Sequence, residues 1–126
     1  MSHVSTVKTT IKDLNILKQA LKELGYGYYE GQQLQGQYMG GGQKADLVIE
    51  DKNNRYGSRS VGVIKDAEGT YSFKGDLSGT KRSFAQDITQ KYTVMKLRSE
   101  LKKMGAISMN EVAQEDGSIK LIANLA

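Results

Sequence analysis

The chain contains no cysteine and no proline, and its only histidine is His3. Without cysteine there is no disulfide, no thiolate zinc site and no cysteine nucleophile. That absence fits a cytoplasmic protein. Without proline, every turn is left to Gly, Asn, Asp or Ser, and 14 glycines are the main supply. A lone histidine with no second ligand nearby marks neither a metal site nor a His-based catalytic pair, so Ser2-His3-Val4 reads as edge strand. No apolar run is long enough to span a bilayer, and the opening MSHVSTVKTTIKD lacks the apolar centre of a secretory signal. Carboxylate pairing is equally sparse. Glu50-Asp51 and Glu115-Asp116 are adjacent pairs at turns, and neighbours on an extended chain point opposite ways, so neither makes an acid/base couple. A strong charge bias is missing too. The net charge of +4 and isoelectric point near 9.2 permit an acidic partner or nucleic acid without demanding either.

What is present describes a folded domain. Apolar residues make up 38% and charged residues 25%, a balance that supports a packed core. A length of 126 residues suits one domain, 1–126, with one core. The first helix starts after Asp13, a natural N-cap. Leu14, Leu17, Ala20, Leu21 and Leu24 form its apolar stripe, and Gly25 suits a left-handed C-terminal cap. The second helix opens on the S-x-x-Q capping pattern of Ser83 and Gln86. Phe84, Ile88, Tyr92, Met95, Leu101 and Met104 mark one apolar face, widened by Val94 and Leu97, and Gly105 ends it. Strands are expected at His3–Thr10, Ala45–Ile49, Ser60–Ile64, Thr70–Phe73, Ala106–Val112 and Ser118–Ile122. The clusters 51–54, 66–69 and 115–117 form the turns between them. Such short connections exclude parallel crossovers. The expected class is therefore α+β: a mainly antiparallel sheet with two helices packed on one face, in the order strand, helix, several strands, helix, two strands.

Three features invite a functional reading. GQYMGGGQK, residues 36–44, brings three glycines to Lys44. A phosphate loop needs a hydroxyl after that lysine and a helix beyond it; here Ala45 and an expected strand follow, so the segment reads as a connection. Tyr26, Tyr28, Tyr29 and Tyr38, with Lys44, Arg55 and Arg59 nearby, have the residue types that stack and neutralise nucleic acid. Strand tyrosines half-buried at a sheet edge explain the same pattern. The basic residues Lys91, Lys96 and Arg98 of the second helix read as a solvated face or as a dock for an acidic partner.

The segments MSHVSTVKTTIKDLNILKQALKELGY, KADLVIE, ITQKYTVMKLRSELKKMG and DGSIKLIANL together resemble the chloroplast conserved reading-frame thirty-five family, also catalogued as domain of unknown function twelve fifty-seven. The resemblance runs over nearly the whole chain, and its marks here are Ser2, His3, Asp46, Thr89, Gln90 and Tyr92. It implies a small protein without an established activity, and an accessory or adaptor role beside an AAA+ type ATPase or another small protein. No catalytic, cofactor or metal-binding residue carries over with it. The expectation is thus a protein-binding chain, with nucleic-acid binding as the alternative and an enzyme of unknown type third. An uncovered sheet edge also makes a homo-oligomer an expectation.

Overall fold

A computed structural model describes residues 5–30, 45–52, 54, 59–75, 77, 79–81 and 83–125. The chain runs β1 (Ser5–Lys8), α1 (Leu14–Leu24), β2 (Gly27–Glu30), β3 (Leu47–Asp51), β4 (Arg59–Lys65), β5 (Tyr71–Gly75), α2 (Phe84–Lys103), β6 (Ala106–Ala113) and β7 (Ile119–Leu125). The class is α+β, as the sequence indicates. The first five strands form an antiparallel sheet in the order β1-β5-β4-β3-β2, while β6 and β7 pair only with each other. β1 and β2 lie at opposite edges, so α1 carries the chain across the sheet.

Register decides which residues enter the core. Val7 pairs with Phe73, Phe73 with Val63 and Val63 with Leu47, a row of apolar side chains on one face. The helices cover that face. Leu17, Ala20 and Leu21 of α1 and Phe84, Ile88 and Tyr92 of α2 join the sheet residues in a single cluster. Phe73 is fully buried at its centre and meets Phe84 edge-on, ring centroids 6.3 Å apart.

α1 begins as expected, with Asp13 Oδ1 accepting from the amides of Asn15 at 3.0 Å and Ile16 at 3.2 Å. Gly25 closes it at φ 84°, a left-handed conformation that glycine adopts without Cβ strain. The start of α2 differs from expectation. Ser83 makes no capping bond to the backbone. Its hydroxyl donates instead to Asp87 Oδ2 at 3.0 Å, and Asp87, an acidic residue in the first turn, supplies the favourable charge there.

The apolar residues of α2 also divide differently. Phe84, Ile88 and Tyr92 face the main core. Val94, only 8% exposed, lies about 120° round the helix from Ile88, the middle of that face, by the 3.6-residue turn, on the stripe of Gln90 and Arg98. Those two residues bind the β6–β7 ribbon. α2 is thus covered on two sides, and Met104, 68% exposed, belongs to neither. What reads as one wide apolar face is two separate faces.

The strand β2 brings Tyr28 and Tyr29 to the sheet edge, paired with Ile49 and Val48. Asp51 ends β3, one residue position inside the expected 51–54 turn. None of the described helices is long and apolar enough to cross a membrane.

Candidate functional site

Three elements meet around a groove of about 1010 Å³. One wall is the end of β1 and the chain leaving it, Val7 to Thr10. The floor is a stripe of α2: Ala85, Gln86, Thr89, Gln90 and Thr93. The far wall is the β6–β7 turn, Asp116 to Ser118.

Each wall is held by identifiable bonds. Thr9 donates its hydroxyl proton to the Tyr71 carbonyl at 2.5 Å and its oxygen accepts the Ile11 amide at 3.1 Å, which fixes the chain as it leaves β1. Thr89 and Thr93 donate to the carbonyls four residues earlier, Ala85 and Thr89, both at 2.8 Å. Their protons are committed to the helix, so toward the groove the hydroxyls offer lone pairs. Gln90 reaches across, its Nε2 donating to the Gly117 carbonyl at 2.8 Å. On the opposite flank of the ribbon, Arg98 Nη2 meets Glu111 Oε2 at 2.6 Å. The turn itself closes through the Gln114 amide, which donates to the Ser118 carbonyl at 2.8 Å, with Gly117 at φ 88°.

β1 adds backbone groups with which no other described strand pairs. The Thr9 amide donates to the Tyr71 carbonyl at 3.3 Å, so the odd-numbered residues of this strand turn their polar groups toward β5. Antiparallel pairing alternates. Thr6 and Lys8 therefore present amide and carbonyl to the free edge, beside the groove. No other described strand pairs with that edge.

One carboxyl, that of Asp116, lines the groove. The Ser118 hydroxyl, at 2.6 Å, and the Ser118 amide, at 2.9 Å, both donate to Asp116 and hold its carboxyl below the ordinary 3.8. Asp66, close to Lys8, is also lowered. Partial desolvation opposes the shift, and bonds from the Thr70 hydroxyl and the Glu68 and Thr70 amides outweigh it. Both groups are anions throughout the neutral range, so they accept hydrogen bonds and hold no exchangeable proton there. Among the described residues, no three His, Asp or Glu side chains converge as metal ligands do.

The sign of these shifts yields a prediction. A carboxyl with a lowered folded value contributes stability above its unfolded value near 3.8 and loses it as pH falls through the folded value. The two turns are expected to loosen below pH 3.8, visible as faster amide exchange at Thr70 and Ser118. At the other extreme, the phenols of Tyr26 and Tyr71 are raised above 10.0, mainly by burial, and that of Tyr29 mainly by its bond to Glu50. Their contribution is complete below pH 10.0 and fades above it. Alkaline absorbance titration should show these tyrosines ionising late.

The predicted site residues fall in different places. Thr89 and Gln90 line the groove. Tyr92 lies behind it, 4% exposed, its oxygen accepting the Lys12 amide at 3.1 Å and the Asp13 amide at 3.0 Å, so it ties α2 to the start of α1. Asp46 is structural: its Oδ2 accepts the Lys65 amide at 3.0 Å. The tyrosines do not gather on one surface. Tyr26 meets Phe84 edge-on at 5.3 Å and Tyr28 packs on the core, whereas Tyr29, 49% exposed, points to the other face and donates to Glu50 Oε2 at 2.7 Å. Lys91 and Arg98 share one side of α2, and Lys96 lies well round from them. Arg59 opens β4. Ser2, His3, Tyr38, Lys44 and Arg55, with the 36–44 glycine segment, lie outside the described residues. Lys8, Thr10 and Thr93 carry no motif, Gln86 and the 115–117 turn carry only a cap and a hairpin signal, and it is their convergence in three dimensions that joins them at the groove. Replacing Gln90 with alanine should free the ribbon tip at a cost of about 0.5–1.5 kcal/mol, read as a lower melting temperature and faster exchange across Glu115–Ser118.

Comparison with known proteins places this architecture in a class without an assigned activity. The model of the family described as "Protein of unknown function (DUF1257)" matches residues 20–122, and the chain belongs to that family. It is 32% identical to "Uncharacterized protein ycf35" of Pyropia yezoensis, covering 97% of this chain and 95% of that protein. It is 31% identical to the protein of the same name from Cyanophora paradoxa, with coverage of 97% and 95%. No solved structure matches the chain.

Proposed function

We propose that this chain is an accessory protein of the cytoplasm that acts by binding another protein, and that the partner is an AAA+ type ATPase or a second small protein. The observation that carries the reading is the pairing of an open β1 edge with the groove beside it. A segment entering as an extra strand finds backbone groups at Thr6 and Lys8 and hydroxyl acceptors at Thr89 and Thr93. Main-chain bonds supply affinity in this mode, and side pockets supply choice. The one carboxyl in the lining, Asp116, is held ionised by its bonds from Ser118, which suits an acceptor in recognition better than an acid/base catalyst. The nature of the partner rests on the family resemblance alone. The dispersal of Tyr26, Tyr28 and Tyr29 gives a nucleic-acid reading no stacking surface among the described residues.

Capture of the tagged chain at native abundance, followed by mass spectrometry, tests this. An ATPase or small protein should be recovered, and Thr89→Arg, which fills the groove, should reduce recovery about tenfold, a loss near 1.4 kcal/mol. Repeated recovery of neither partner would count decisively against the reading.

A further inference from the structure

The β6–β7 ribbon stands apart from the main sheet with one of its faces turned outward. The pairs Asn110 with Ile122 and Val112 with Lys120 lie on that face, and Ile122 is 42% exposed. Edge strands are normally protected by being short, charged, irregular or interrupted by proline. β1 and β2 are four residues long and carry Lys8 and Glu30. β6 has a register irregularity between Ala106 and Ser108 and carries Glu111. β7 has only the weakest of these defences, the single charge of Lys120. It is seven residues long, IKLIANL, with one charge and no described strand on its second edge.

We infer that β7 pairs antiparallel with β7 of a second copy of this chain, joining two ribbons into a four-stranded sheet. The strand is self-complementary in the one register that overlaps all seven residues. That register puts Ile122 on the two-fold axis, facing its own counterpart. Lys120 then faces Asn124, and the two lysines are separated by four strand residues, about 14 Å, beyond the ~8 Å screening length at physiological salt. The backbone pattern agrees. The Gln114 amide donates to the Ser118 carbonyl, so residues 118, 120, 122 and 124 point their polar groups toward β6. Ile119, Leu121, Ala123 and Leu125 point theirs to the free edge. In this register Leu121 meets Ala123 and Ile119 meets Leu125, each pair bringing two sets of edge-facing amides and carbonyls together. Isologous pairing of this kind closes as a dimer and leaves no further β7 edge.

Sedimentation of the full chain over a dilution series should give twice the 13.9 kDa chain mass at the concentrated end. Ile122→Lys places two cations on the axis and should give the single-chain mass at every concentration. Because the chain has no cysteine, Ile122→Cys introduces one thiol per chain. Oxidation should link it into a covalent dimer, whereas Val112→Cys, on the same ribbon face but in β6, should link poorly. A wild-type protein that stays at single-chain mass overturns the inference. So does equal linking of the two cysteine variants. If the lysine variant proves unfolded by circular dichroism, the cysteine pair decides alone.

Discussion

Phe73→Ala should lower stability by about 3–5 kcal/mol, the cost of removing a fully buried ring and leaving a cavity that its neighbours fill only in part. Phe73 stands in the middle strand pair of the row from Val7 through Val63 to Leu47, and both helices rest on that row. A small domain has only about 5–15 kcal/mol in total. The loss should bring the melting temperature down by roughly 10–20 °C for a chain of this size. Thermal denaturation followed by circular dichroism measures it. A change under about 1 kcal/mol would mean that residue 73 does not occupy the centre of the core, since even partial cavities there cost more.

Tyr92→Phe is a smaller change with a more specific signature. The ring stays, so packing in the core is retained, but the amides of Lys12 and Asp13 lose their common acceptor. Leaving such donors without a partner costs about 1–3 kcal/mol. The loss should be local as well as global: amide exchange should accelerate at Lys12 and Asp13 before it does in the strands. Uniform acceleration across the domain would instead indicate that the hydroxyl acts through packing.

The same residue shows how much of the fold is legible from the chain. Tyr92 sits on an apolar helical stripe, and its place in the core follows from spacing alone. Its bond to the start of α1, eighty positions away, does not, because no local pattern encodes it. α1 is readable in full, since an Asp cap, a leucine stripe and a terminal glycine all act within a few residues. α2 is readable in length and position but not in division. Its apolar residues serve two partners about 120° apart around the helix, so their pattern merges into one broad face that the structure separates. The capping pattern at Ser83 and Gln86 misleads for a related reason: Asp87 competes for the serine hydroxyl, and Gln86 turns to the groove. The ribbon is legible as a hairpin from its Glu-Asp-Gly turn, whereas its independence from the main sheet depends on how α2 is covered. As for the groove, Thr89 and Gln90 stand out as family marks, while the residues that complete it are ordinary polar residues from three distant segments. Their grouping is a property of the fold.

The central claim is that a partner adds a strand to β1 over this groove, and amide hydrogen exchange on the complex with the captured partner tests it most directly. Strand addition should slow exchange at Thr6 and Lys8, the residues whose amides face the open edge. Thr9, already bonded to Tyr71, should change little. Protection confined to the β2 edge, or a complex that leaves the amides of β1 unchanged, would contradict it.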